Sequence, residues 1–254
     1  MQYGISNLSI VPMRSVASDK AEMVNQILFG EHFKVLENQK KFSRIRLAHD
    51  DYEGWICNKQ WIAIEKENYN KLQKETPTLT TDILDIIKHE QFQPIVMGST
   101  LPSYKSGHAF LGEEMYLFEG LTTQGFTEKK YIIENALMYL NTPYLWGGRS
   151  PVGIDCSGFI QMVYRLQGIK LPRNACQQVE VGRTLKSVGE SEVGDLAFFE
   201  NNEGKITHVG IIMENNDIIH ASGKVRIDKL DQQGIFNDDF GTHSHKLGLI
   251  KSII

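Results

Sequence analysis

Over the first 65 residues, hydrophobic positions fall in short runs broken by turn-forming residues. Runs at 24–29, 32–36, 42–47 and 54–57 are rich in β-branched and aromatic residues, with polar breaks at 30–31, 38–41 and 49–52. Many short strands with frequent turn signals predict a small barrel or sandwich. Residues 66–78 are polar and read as a connector. The strand rhythm returns from 78 to about 120, with apolar runs at 83–87 and 94–97 and turn signals at Gly98-Ser99 and Lys105-Ser106-Gly107. The texture then changes. Tyr131, Ile132, Ala136, Leu137 and Leu140 recur at helical spacing within 128–140. A loop rich in Gly and Pro follows at 142–155. Phe159, Ile160, Val163 and Leu166 then mark a second helix over 156–166, which Gly168 stops. Runs at 196–199, 209–213, 218–221 and 225–230 read as consecutive strands. The pattern predicts two small all-β modules, at 1–65 and 66–124, and an α+β domain at 125–254.

Composition narrows the function classes. The chain has 254 residues, 41% hydrophobic and 23% charged, with 31 acidic and 27 basic residues and a net charge of −4. Such a balance suits a globular protein and disfavours broad nucleic-acid binding. No apolar run reaches the roughly 18–20 residues of a membrane helix. Met1-Gln2-Tyr3-Gly4-Ile5-Ser6 lacks the basic-then-apolar start of a signal peptide, so a cytoplasmic monomer, with no nucleic-acid or membrane partner, is expected. The three cysteines, Cys57, Cys156 and Cys176, make neither a disulfide framework nor a Cys-x-x-Cys zinc pair.

Candidate chemistry sits at Cys156, where a glycine-rich loop enters the predicted helix. A helix N-terminus favours the negative charge of a thiolate, and its unpaired backbone N–H groups can stabilise an oxyanion. Cys57 and Cys176 lack such a loop and read as structural. Of the eight histidines, His208 and His220 lie on neighbouring predicted strands downstream. One can serve as base and the other as its orienter. That role requires both to face one side of the sheet. Since facing positions in an antiparallel hairpin sum to a constant, the constant must be even. The requirement predicts a three-residue loop or a bulge rather than a two-residue Asn215-Asn216 turn. His243-Ser244-His245 reads as a solvated tail loop. Zinc held by Cys156, His208 and His220 is a competing reading, and Gly147-Gly148-Arg149-Ser150 is not a phosphate loop because the Lys-Ser/Thr ending is missing.

Trp146-Gly147-Gly148, Asp155-Cys156-Ser157-Gly158-Phe159, Val193-Gly194-Asp195-Leu196 and His208-Val209-Gly210-Ile211 resemble the NlpC family of papain-like cysteine peptidases, from about residue 128 to the C-terminus. The resemblance implies an α+β papain-like (NlpC-type) catalytic domain with Cys156 as nucleophile, His208 as base, His220 as orienting residue and Tyr144 beside the oxyanion hole. No cofactor or metal is implied. The N-terminal modules look like bacterial SH3-like barrels, a layout similar to the γ-D-glutamyl-L-diamino acid endopeptidases. Those enzymes act on murein stem peptides with a free L-Ala amine, and their first barrel supplies acidic and phenolic groups for that amine. By this likeness Glu22 and Tyr52 would take the ammonium, and Asp155 and Ser157 would contact the D-Glu. After Leu171-Pro172-Arg173 related enzymes commonly carry Asp-Ser. Here Asn174-Ala175 stands instead, which removes a charge from the place that holds the substrate terminus. A wall-peptide-binding module without catalysis and a metal-dependent amidase are the alternatives to peptide hydrolysis by Cys156.

Overall fold

A computed structural model describes residues 1–125 and 128–254. The chain divides into two compact units, one made of Met1–Gly125 with Trp146–Pro151 and the other of Phe126–Leu145 with Val152–Ile254.

The first unit contains a seven-stranded antiparallel sheet in the order Met23–Leu28, Ile10–Arg14, Glu53–Cys57, Phe42–Leu47, His32–Asn38, Gln2–Ile5, Ile62–Ile64. Period-two alternation turns Val11, Met13, Ile27, Phe33, Val35, Ile45, Leu47 and Ile56 onto one buried core. Two smaller antiparallel sheets follow, of four and three strands, built from residues 78–123. Ile87, Ile95, Leu111 and Phe118 from these sheets share a second core with Tyr3 and Ile5 from the first sheet and Phe29 from the turn that follows Met23–Leu28. The expected connector at 66–78 is instead largely helical, over Lys66–Lys74. Only Tyr69 is buried there, with Leu72 partly so, and Tyr69 packs against Tyr3 at 4.5 Å between ring centroids. Two apolar residues three apart hold a short helix to a core without drawing a hydrophobic stripe in the sequence.

The segment Trp146–Pro151 packs within this first unit. Gly147, at φ +78°, brings its backbone so close to Met23 that a Cβ would lie 2.5 Å from the Met23 carbonyl oxygen. The glycine is therefore required by chain packing. Arg149, fully buried, donates from Nη1 and Nη2 to the Glu31 carboxylate at 3.0 Å each, and from Nη1 to the Gln26 carbonyl at 2.9 Å. A guanidinium sealed from water needs such a carboxylate partner.

In the second unit, helices Lys130–Leu137 and Cys156–Leu166 precede a seven-stranded sheet. All eleven residues of Cys156–Leu166 are buried. Phe159, Met162, Val163 and Leu166 each contribute about 1.5–3 kcal/mol by leaving water. The sheet runs Arg183–Leu185, Thr242–Ser252, Leu196–Glu200, Ile206–Ile212, Asp217–Ser222, Lys224–Leu230, Gly234–Asn237, and the last strand pairs back to Thr242–Ser252. That return closes six of the strands into a barrel. Its core is Ala197, Phe199, Ile212, Ile218, Leu230, Ile235 and Ile250. The expected tail loop at His243-Ser244-His245 is corrected: all three belong to the eleven-residue strand Thr242–Ser252. Pairing to two neighbours stabilises this strand, although its first half is too polar to read as one.

Candidate active site

Asp155 ends the extended loop at φ −96° and caps the helix that follows, its Oδ1 accepting from the Gly158 N–H at 2.7 Å. Cys156 is therefore the first helical residue, where the helix dipole is positive. Its sulfur faces the backbone N–H groups of Ser157 and Val209. Val209 follows His208 directly, so the His208 strand abuts the thiol. No hydrogen bond joins this sulfur to an imidazole among the described residues. The side chain is 7% exposed, and burial, followed by the Asp155 charge, pushes the thiol up to about 12.

His208 and His220 are brought together by the hairpin register. Gly210 faces His220, Ile211 faces Ile219 and Ile212 faces Ile218, an even pairing constant. The tip is the three-residue turn Glu214–Asn216, in which Asn215 and Asn216 both adopt φ +58°. Asparagine tolerates this left-handed backbone better than most residues. Both imidazoles thus face the barrel interior, in line with Ile212 and Ile218. Gly210 lies between them, and a Cβ there would come within 2.7 Å of Ile218 and 3.0 Å of His220. The two rings hydrogen-bond through His208 Nε2 and His220 Nδ1 at 2.9 Å.

Asp228 was not anticipated. Its Oδ2 meets His220 Nε2 at 2.9 Å, and its Oδ1 accepts from Arg226 Nη2 at 2.7 Å. The hairpin around Gly223 pairs Ile218 with Asp228 and His220 with Arg226, so even-numbered residues share the interior face. The parity argument, carried one strand further, would have found it. Burial alone would raise the Asp228 carboxyl, but hydrogen bonds from His220 and Arg226 outweigh it and hold the group below its ordinary value.

This chain fixes the protons. A carboxylate only accepts, so the proton between Asp228 and His220 sits on His220 Nε2. A neutral His220 then accepts at Nδ1, which places the His208 proton on Nε2 and leaves His208 Nδ1 as the free base. Burial, reinforced by His220 and then His245, lowers His208 well below its ordinary value, so it rests uncharged. With the thiol raised and the imidazole lowered, the resting pair is neutral. Alkylation of Cys156 by iodoacetamide in a Cys57→Ser, Cys176→Ser background should therefore accelerate about tenfold per pH unit between pH 6 and 10. A plateau near neutrality would reveal a preformed thiolate–imidazolium pair instead.

Both ring nitrogens of His220 are taken, one by His208 and one by Asp228. It has no lone pair to offer zinc, so the Cys156, His208, His220 metal set does not fit.

The remaining candidates are placed as follows. Tyr144 is half-buried; burial and then the charges of Cys156 and Asp155 push its phenol up to about 12, so it stays a hydrogen-bond donor. Asp155 and Ser157 are buried and held by Arg173, whose Nη2 donates to Asp155 Oδ2 at 2.6 Å and whose Nη1 donates to Ser157 Oγ at 2.9 Å. Asn174 caps the short helix Ala175–Gln178, its N–H donating to Gln177 Oε1 at 3.3 Å. In the first unit Glu22 is exposed and accepts from Trp146 Nε1 at 2.7 Å, while Tyr52 is partly buried against the sheet core.

Residues 141–242 match the NlpC/P60 family, and residues 13–60 match the bacterial dipeptidyl-peptidase SH3 domain. The chain is 27% identical over 259 residues to dipeptidyl-peptidase 6 of Lysinibacillus sphaericus, an alignment spanning 90% of this chain and 92% of that one. It is 24% identical over 261 residues to the gamma-D-glutamyl-L-lysine dipeptidyl-peptidase of Bacillus cereus, spanning 88% and 75% of the two chains. The crystal structure of an NlpC/P60 family protein from Bacillus cereus shares the fold, with a TM-score of 0.82 over 99% of each chain at 18% identity. Residues 141–242 are thus an NlpC/P60 cysteine-peptidase domain, preceded at residues 13–60 by a bacterial dipeptidyl-peptidase SH3 domain.

Proposed function

We propose that this peptidase hydrolyses the bond between γ-D-Glu and the L-diamino acid of murein stem peptides whose N-terminal L-Ala is free. It releases L-Ala-γ-D-Glu in the recycling of wall peptides. The reading is carried by the buried chain from Asp228 through His220 to His208, on the strand whose Val209 N–H meets the sulfur of a cysteine at a helix N-terminus. The names of the relatives, a dipeptidyl-peptidase and a gamma-D-glutamyl-L-lysine dipeptidyl-peptidase, support the bond chosen. Hydrolysis of peptidoglycan peptides is the activity common to both levels of the reading.

The Cys156 sulfur attacks the γ-carbonyl carbon of D-Glu as its proton passes to His208 Nδ1. The carbonyl electron pair moves onto oxygen, where the Cys156 N–H and the Tyr144 hydroxyl stabilise it. Collapse breaks the C–N bond, and His208 returns its proton to the departing amine. The thioester left on Cys156 is then attacked by water. His208 takes the water proton and delivers it to the leaving thiolate, freeing the dipeptide acid. His220 and Asp228 hold the His208 tautomer throughout. In the first unit, Glu22 has an exposed carboxylate that accepts from Trp146 Nε1 and is suited to an α-ammonium.

Incubation with L-Ala-γ-D-Glu-L-Lys and its diaminopimelate counterpart should release L-Ala-γ-D-Glu, identified by mass. The N-acetylated peptides should react at least about tenfold more slowly, since acetylation removes the charge that a carboxylate recognises. Equal cleavage of acetylated and free peptides would overturn the amine requirement, and cleavage at another bond would overturn the specificity.

A further inference from the structure

The barrel interior holds an imidazole that the mechanism above does not use. His245, on strand Thr242–Ser252, lies over His208 with ring centroids 4.1 Å apart and planes inclined by 26°. Its own Nδ1 is engaged by the Ser244 hydroxyl at 2.8 Å, which fixes the ring in rotation. Phe199 packs near the same two rings, 5.8 Å from His208 and 6.0 Å from His245.

Behind these two aromatic groups is a cavity of about 740 Å³, walled by Phe199, Thr207, Gln233, His243, Ser244 and His245, among others. His208 is not part of its wall. The rings of His245 and Phe199 both line this solvent-open space and both pack against the catalytic imidazole, which does not line it. A base whose second nitrogen is tied to His220 can still tilt about that one hydrogen bond. A flat partner on its face removes the tilt.

We propose that His245 is a positioning residue for the hydrolysis, its stacked ring holding His208 in plane and keeping the water of the adjoining cavity off the base. The role needs a flat ring rather than a ring nitrogen. It rests on His208 being the base, as argued above. The titratable and charged groups that act on the two rings are His220 and Asp228, with Arg226 on the far side of Asp228. His243 with Asp231, and Lys246 with Glu200, lie on the cavity side.

The test compares His245→Phe with His245→Ala. Phe keeps the stack and should leave kcat and KM near the parent values. Ala opens the cavity onto His208 and should lower kcat about tenfold with KM unchanged, the effect of a loosened catalytic group. An NMR titration of the His208 ring needs no substrate. Its midpoint should move up toward the ordinary histidine value in the Ala variant, where water relieves the desolvation that disfavours the imidazolium, and clearly less in the Phe variant, which loses only the smaller charge effect of His245. Circular-dichroism melts separate these effects from unfolding. Parent-like kinetics and titration in His245→Ala would overturn the proposal. So would equal losses in both variants, which would assign the role to a nitrogen, or a change confined to KM. Should the parent cleave no stem peptide, or His208→Ala retain full activity, the functional reading fails, while the titration still decides whether His245 shields His208.

Discussion

Cys156→Ser protein is expected to melt near the parent temperature and to release L-Ala-γ-D-Glu at least about 10⁴-fold more slowly in kcat/KM. The folding half of this expectation follows from size. A hydroxyl is smaller than a thiol and can accept the same Ser157 and Val209 N–H groups that face the sulfur. The kinetic half follows from proton affinity. A serine hydroxyl is far less acidic than even a thiol raised to about 12, and His208 is a base weakened by burial. The transfer that accompanies attack becomes prohibitive, and oxygen is the poorer nucleophile. Turnover of the tripeptide by mass spectrometry, alongside a thermal melt, reads both halves. Activity within tenfold of the parent would remove Cys156 from the reaction.

Asp228→Asn should cost about 10²–10³-fold in kcat with little change in KM, because the amide pushes His220 toward the wrong tautomer. The carboxylate Oδ2 meets His220 Nε2, with Arg226 Nε also 2.7 Å away, and Oδ1 accepts from Arg226 Nη2. An amide has only one oxygen. Arg226 carries a permanent charge and claims it, so the NH₂ group is turned toward His220 Nε2. His220 must then accept there and carry its proton on Nδ1, against His208 Nε2. The His208 proton is driven to Nδ1, where the free base is needed. Adding Arg226→Met frees the amide to rotate its oxygen to His220 and should recover part of the loss. Steady-state kinetics of the single and double variants decide the matter. A single variant within threefold of the parent, or no recovery in the double variant, would refute the tautomer account.

Two kinds of signal made the site legible before any coordinates. Cys156 stood out because a glycine-rich loop runs directly into an apolar helical stripe there. The catalytic role required His208 and His220 to share a face, and strand parity, which is arithmetic on residue numbers, turned that requirement into a three-residue turn or a bulge. The remaining members were hidden for physical reasons. Asp228 lies in Lys-Val-Arg-Ile-Asp-Lys-Leu, whose alternating charges look like a solvated strand face; burial is decided by barrel closure, which no local window contains. His245 meets its partner 37 positions away in sequence, across Phe199, and sits in a polar stretch that reads as a loop. Helix Lys66–Lys74 has too few apolar residues to show a period. Arg149 sits in a glycine-rich loop that gives no local sign of its partner, Glu31, 118 residues earlier.

The asparagine tip of the hairpin has a consequence for sequence change. Surface turns ordinarily accept the loss or gain of one amino acid. At Glu214–Asn216 such an indel would swap odd for even along the returning strand, sending the second imidazole outward and an isoleucine inward in its place. Length at this point, distant from the sulfur and fully polar, is as much a condition of activity as the identity of the residues that perform it.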